Sequence, residues 1–264
     1  MYLIKTVGID LAPVSSGLSA FEMRSHSWET RVVDAGVLHI SSGAGKQTQF
    51  NQQLHAACKA VEFVKKHKPD LIGIEDYTNQ FKTHVGFSMG QMGGIVRLLL
   101  WQEGYRMLQL TPSRLDKMVM PKGKDNRPAK NKKKQFVTDW LNKAIGVEFS
   151  GKAKEVSDMS DATVYALIAA CFFSAYWLQH IPDWMNERQR EILMAKGPPA
   201  GSMLDKKGWQ LNGLLDRPYN YLIRNPEREA STYTPEWQKQ QENGYVNDVI
   251  YVGAGTAECL SSTL

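Results

Sequence analysis

The sequence predicts an α/β fold: a mixed five-stranded sheet flanked by helices, followed by an irregular C-terminal extension. Three observations carry that reading. Three β-prone runs follow one another within the first forty residues. Helix-period segments then alternate with short apolar strands at residues 71–75 and 105–110. After about residue 180 both periodicities give way to short pieces broken by proline and glycine.

Taken in order, residues 7–11, 17–23 and 32–40 are apolar or β-branched runs, with residues 12–16 as the first turn. Three consecutive antiparallel strands satisfy them most economically. Residues 41–46 form a Gly/Ser connection, after which Phe50, Leu54, Ala57, Cys58, Val61 and Val64 recur at helical spacing. That helix ends near Lys68-Pro69, where Lys65, Lys66 and Lys68 suit its negative C-terminal end. Residues 71–75 repeat the pattern of residues 7–10, an apolar strand that ends in a carboxylate. A strand reached through a crossover helix lies parallel to an earlier one, so Asp10 and Glu75 are expected at the same edge of the sheet. Residues 86–104 read as a helix whose Gly90, Gly93 and Gly94 let it approach another backbone closely. The fifth strand, residues 105–110, ends at Thr111-Pro112.

Next comes a strongly basic window. Between Ser113 and Lys134 stand nine cations (Arg114, Lys117, Lys122, Lys124, Arg127, Lys130, Lys132, Lys133 and Lys134) against Asp116 and Asp125. The window carries +7 of a chain whose net charge is only +5, so the remainder is slightly acidic. Such concentration points to a surface for a polyanion; a merely solvated loop is the competing reading. Pro121, Gly123 and Pro128 keep much of it from being helical. Helical period resumes over residues 132–144 through Phe136, Val137, Trp140 and Leu141. Residues 146–156 read as a connection. Residues 162–178 then form an uncharged helix, entered through Ser157-Asp158-Met159-Ser160-Asp161. It is short for a membrane span and lacks an obvious basic flank, so a buried core helix is expected, with no membrane partner.

The extension, residues 181–264, has Pro182, Gly197-Pro198-Pro199, Pro218, Pro226 and Pro235 as breaks and eight aromatics between Trp184 and Tyr251. With nine basic and eleven acidic residues it is no electrostatic clamp for nucleic acid. A helix over residues 184–195 and a strand over 249–252 are its expected elements. Residues 1–180 form the core domain. At 264 residues and 42% hydrophobic composition the chain can bury a real core. Cys58, Cys171 and Cys259 lie far apart, and with the six histidines they make no close-spaced zinc pattern. The first residues run straight into a strand without the regions of a signal peptide, and a reducing, cytoplasmic setting is expected.

Chemistry concentrates on four acids. An aspartate at the end of a buried strand is costly unless a cation meets it, which makes Asp10 a candidate metal ligand. Glu75 stands in the same position on another strand. Asp158 and Asp161 share a helix face; first-turn capping acids are the ordinary reading of that pair alone, but capping has no bearing on the two strand ends. Four carboxylates without histidine or thiolate suit hard divalent cations such as Mg2+ or Mn2+. Two such ions about 4 Å apart can activate a water and stabilise the leaving oxygen in phosphodiester hydrolysis. The basic window would hold the polyanion that the acids alone would repel.

In order and spacing, several motifs resemble the Holliday-junction resolvases of the RuvC type, within the RNase H-like superfamily. They are Gly8-Ile9-Asp10, Ile72-Gly73-Ile74-Glu75, Met89-Gly90-Gln91-Met92-Gly93-Gly94, Thr111-Pro112-Ser113, Ala129-Lys130 and Asp158-Met159-Ser160-Asp161-Ala162. The resemblance covers roughly residues 1–180. It implies an RNase H-like fold and a homodimeric crossover junction endodeoxyribonuclease that nicks four-way junctions and other branched DNA. Two divalent ions per active site, Mg2+ or Mn2+, would be held by Asp10, Glu75, Asp158 and Asp161. It places Arg114, Lys117, Lys122, Lys124, Arg127, Lys130, Lys132, Lys133 and Lys134 in a DNA-contacting segment. Tyr77, with Phe81 next, is its candidate for the aromatic that meets a base; a core role for the Tyr77 ring is equally open. The long extension looks like that of a viral or divergent member, acting in the cytoplasm of a bacterial host cell if viral. The alternatives keep the fold and change the substrate to flaps, forks or RNA–DNA hybrids, or drop catalysis for DNA binding alone.

Overall fold

The computed structural model describes residues 2–12, 14–39, 49–76, 84–121, 127–129, 132–178, 180–193 and 222–223. The chain divides into two compact units, Met1–Thr232 and Tyr233–Leu264, and the second lies outside the described residues, as does the strand expected at 249–252. In the first unit β1 (Leu3–Asp10), β2 (Ser15–Arg24) and β3 (Thr30–His39) form an antiparallel meander. Helix α1 (Gln49–His67) crosses to β4 (Leu71–Glu75), parallel to β1, and α2 (His84–Gln102) crosses to β5 (Met107–Leu110), parallel to β4. The five expected strands therefore make one mixed sheet. A sixth, β6 (Leu222–Ile223), pairs antiparallel with β5 and completes the order β3-β2-β1-β4-β5-β6. Two residues carry no periodicity, so this strand has no sequence signature.

Beyond β5 come α3 (Pro112–Val119), α4 (Lys133–Ile145), α5 (Ala153–Trp177) and α6 (Glu187–Arg190), the last followed by a 3-10 turn at Glu191–Leu193. Helix α5 packs on β1, β2 and β4 and is covered from its other side by α3 and α4. A helix enclosed all round must be apolar all round. Its length and apolar composition would suffice to cross a membrane, but here nearly all of that stretch is buried within the fold.

Side chains alternate across a strand, and the sheet uses the alternation to build two unlike faces. Val7, Ile9, Leu11, Leu18, Ala20, Ile72 and Ile74 enter one cluster with Ala57, Val64, Met92 and Val96 from α1 and α2. Of the intervening positions, those toward the acid end of the strands are small: Thr6 and Gly8 on β1, Gly17 and Ser19 on β2, Gly73 on β4. A Cβ added at Gly8 would run into the carbonyl of Ala162, at Gly17 into that of Asp158, and at Gly73 into that of Tyr165. Hydroxyls finish the contact: Thr6 Oγ1 donates to the Ala166 carbonyl at 2.9 Å, and Thr163 Oγ1 donates to Ser19 Oγ at 2.8 Å. The backbone of α5 thus rests directly on the sheet.

Several expectations are corrected. Close backbone approach was expected at Gly90, Gly93 and Gly94 of α2; at Gly94 an added Cβ would meet nothing within 4 Å, whereas close approaches are found on the strands. Helix α5 begins at Ala153, inside the stretch read as a connection, with the Lys152 amide donating to Glu155 Oε2 at 3.1 Å. Lysine is not a recognisable N-cap, so the sequence hid this start. The basic window opens with helix α3, because Pro112 occupies the favourable first helical turn. The helix expected over 184–195 shrinks to α6 and its 3-10 turn. Asn186 sets the start by accepting from the Gln189 amide at 3.0 Å.

Candidate active site

The register that pairs Ile9 with Ile74 brings the C-terminal ends of β1 and β4 side by side, so Asp10 and Glu75 emerge together on the α5 face. Their carboxyls face each other closely enough to interact, which helps to hold the Asp10 carboxyl up. Because α5 lies so close, Asp158 and Asp161 come over the same strand ends. Both sit well inside the helix, in its second and third turns, which removes the capping explanation that their spacing allowed. Glu75 and Asp158 are only 8% and 4% exposed, too little for water to solvate their charge.

Electrostatics record the crowding. Burial, then the charges of Glu75 and Asp158, push the Asp10 carboxyl well above the usual carboxylate range. Burial raises Glu75 to about 7, with Asp161 adding repulsion and the Asp10 hydrogen bond and Arg97 opposing it. Burial and Asp10 raise Asp161 to about 8, offset in part by Lys134 and Lys133. Beneath the acids the phenol of Tyr165 is pushed up by burial first and then by Glu75, Asp10 and Asp161.

Residues that sequence reasoning missed hold the acids in place. Ser15 Oγ donates to Asp158 Oδ2 at 2.7 Å, leaving Oδ1 toward Lys134, whose Nζ stands 3.8 Å away. Arg97 donates to the Glu75 carbonyl at 2.6 Å and lies 3.9 Å from Asp76. One signal was available: Arg97 is the lone Lys or Arg in an apolar helix.

Of the expected DNA-contacting residues, Arg127, Lys132 and Lys134 are exposed. Others have partners within the protein: Arg114 Nη1 donates to the Ile192 carbonyl at 3.0 Å, Lys117 pairs with Glu191 at 3.1 Å, and Lys133 pairs with Asp116 at 2.6 Å. Lys122, Lys124, Lys130, Tyr77 and Phe81 lie outside the described residues.

Among the described residues, no three His, Cys, Asp or Glu side chains are grouped to hold a metal ion as they stand. The donor chemistry nonetheless fits one. Mutually repelling, buried carboxylates without thiolate or imidazole match the preference of a hard divalent cation, which would offset the repulsion among them.

The family model for the crossover junction endodeoxyribonuclease RuvC matches residues 6–167, more than half of the chain. No curated protein sequence matches it. Among solved structures, the chain is similar to T. thermophilus RuvC in complex with a Holliday junction substrate, at 14% identity over 62% of this chain and 91% of that one, TM-score 0.48. It is also similar to the yeast mitochondrial Holliday junction resolvase Ydc2 (15% identity, 72% and 80% covered, TM-score 0.44) and to fowlpox virus resolvase with Holliday junction DNA (10%, 62% and 95%, TM-score 0.42). These are likenesses of shape at low identity; the assignment rests on the family match, whose span contains all four acids and the basic window. The chain belongs to the RuvC family of crossover junction endodeoxyribonucleases.

Proposed function

We propose that this protein is a structure-specific endodeoxyribonuclease that hydrolyses phosphodiesters in four-way and other branched DNA. It uses Mg2+ or Mn2+ held by Asp10, Glu75, Asp158 and Asp161 and acts as a homodimer, since a two-fold junction needs one active site for each of two nicks. The observation that carries the reading is the convergence of these four carboxylates, from two strand ends and one helix, with the exposed Lys134 at their edge.

A bound divalent cation supplies Lewis acidity toward the phosphate and the attacking water. The protein's own groups do the rest. Asp10 and Glu75 would hold the cation from the two strand ends, where burial and repulsion among the acids raise both carboxyls. Ser15 fixes the rotamer of Asp158. Lys134, at the rim of the acids, offsets their charge as a phosphate approaches. Lys132 and Arg127 present exposed cations to the flanking backbone, and Lys122, Lys124 and Lys130 belong to the same segment. Tyr77 and Phe81 remain the candidates for a base contact.

The test is cleavage of a synthetic four-way junction with Mg2+, beside linear duplex and RNA–DNA hybrid. Preferential, paired nicking of the junction is expected, and Asp10→Asn or Glu75→Gln should abolish cutting while junction binding persists. Preference for the hybrid would move the substrate within the fold, and unchanged cutting by Asp10→Asn would overturn the proposal.

A further inference from the structure

We infer that residues 185–193 are a brace that fixes where the basic segment leaves and re-enters the core, with Arg188 and Gln189 as positioning residues for DNA binding. The inference rests on the proposed role of that segment in holding DNA. A short helix such as α3 ends with carbonyls that have no partner within the helix. Here the later segment supplies them. Arg188 Nη1 donates to the Met120 carbonyl at 2.7 Å and Gln189 Nε2, buried, to that of Met118 at 2.8 Å, while Arg188 Nη2, at 3.4 Å, adds a second donor to the Asp116 carbonyl, which also accepts from the Met120 amide at 2.9 Å. Contacts also run in the opposite direction, from Arg114 to the Ile192 carbonyl and from Lys117 to Glu191. Met185, Ile192 and Leu193 are buried, so the segment is part of the core rather than laid upon it.

What the brace holds is the foot of the basic segment. Met120 closes α3 and Pro121 follows; on the returning side Lys133 opens α4. Asp116 ties the two ends together, its carbonyl held by Arg188 and its carboxylate by Lys133. Arg127, between those ends, lines a cleft with Glu187, Arg188 and Glu191. The extension also grips the element before α3, since β6 pairs with β5 and β5 leads through Thr111 into Pro112. Both attachments fall on the β5–α3 unit that launches the cations. The brace also occupies Arg114 and Lys117, leaving phosphate binding to the exposed cations that follow.

The experiment measures four-way junction binding and single-turnover cleavage for full-length Arg188→Ala, Arg188→Lys and Gln189→Ala. Melting with and without Mg2+ serves as the check on fold and acid site. Arg188→Ala is expected to weaken junction binding roughly tenfold, the scale of a lost charge-assisted hydrogen bond, with cleavage at saturating DNA within about twofold of wild type. Gln189→Ala should weaken binding in the same direction although it removes no charge. Arg188→Lys should not restore it, because a lysine head cannot span two carbonyls. Restoration by lysine with no effect of Gln189→Ala would show a direct phosphate contact and overturn the brace. So would wild-type affinity in a folded Arg188→Ala. Should Gln189→Ala fail to fold, Glu191→Gln decides: freeing Lys117 is expected to steepen the salt dependence of binding by up to about one unit, and an unchanged slope counts against the brace. If the wild-type protein itself binds no branched DNA, the functional proposal falls first and the brace with it.

Discussion

On the side of the sheet that meets α1 and α2, Val7, Ile9, Leu18, Ile72 and Ile74 fill space with large side chains. On the other side, the alternate positions nearest the acids are Thr6, Gly8, Gly17, Ser19 and Gly73, and at the three glycines the backbone of α5 itself fills the space. The first face can relax around a lost methyl group. The second has backbone against backbone, where nothing can give way, and that is the face on which Asp10, Glu75, Asp158 and Asp161 meet. The difference teaches that the precision of the acid site comes from small residues that place α5, while the large ones supply stability.

The largest effect should come from setting a side chain on the small face. Gly8→Ala drives a methyl into the Ala162 carbonyl and is expected to cost about 3 kcal/mol or more and to remove cleavage. Ile72→Val, one strand away on the large face, should cost about 1 kcal/mol and leave cleavage intact. Urea melts and junction cleavage on the two variants compare the faces directly, and equal costs would break the comparison.

Ser15→Ala probes the same face without overlap. It leaves Asp158 Oδ2 without its hydroxyl donor, with an expected stability loss of about 1–2 kcal/mol. Cutting should slow roughly tenfold at unchanged junction affinity, the mark of a group that orients a ligand rather than binds DNA.

A pH series sharpens the account of the acids. Asp10, Glu75 and Asp161 are raised above their ordinary values of 3.8, 4.5 and 3.8, so the fold favours their protonated forms. The contribution of Glu75 and Asp161 to stability is therefore fully present below about pH 4 and is lost as pH rises through about 7 to 8, and Asp10 acts in the same direction. A cation that replaces the protons should consequently raise Tm more at pH 8.5 than at pH 6. Equal shifts at both values, read by calorimetry, would detach the cation from these groups.

The smallest effects belong to single cations of the basic window. Lys132→Ala, which removes an exposed charge, should flatten the salt dependence of junction binding by up to about one unit. Lys133→Ala should do less, because that lysine already faces Asp116.

How far the sequence foretold this molecule follows the same division. Asp10 and Glu75 were legible because a buried strand ending in a carboxylate is an anomaly that local pattern exposes. The five strands were legible from pattern and periodicity, and the burial of α5 from an uncharged stretch too short to read as a membrane span. Gly17 and Ser15 were not, since their meaning lies in contact with a helix some 140 residues away. The capping reading of Asp158 and Asp161 lapsed once α5 proved to start at Ala153, behind a lysine that gives no start signal. The ties of Arg114, Lys117 and Lys133 were hidden for the same reason as Ser15: each partner is distant in sequence or across a loop.

The most direct test of the central claim, that crowded carboxylates make a cation site on the small face, is the melting temperature at pH 8.5 with and without Mg2+ for wild type and Asp10→Asn. Without Mg2+, Asp10→Asn is expected to melt above wild type, because one of the repelling charges is gone. Mg2+ should then raise wild type by several degrees and the variant by little. An equal rise in both proteins, or a cation-free Asp10→Asn that melts below wild type, would contradict the account.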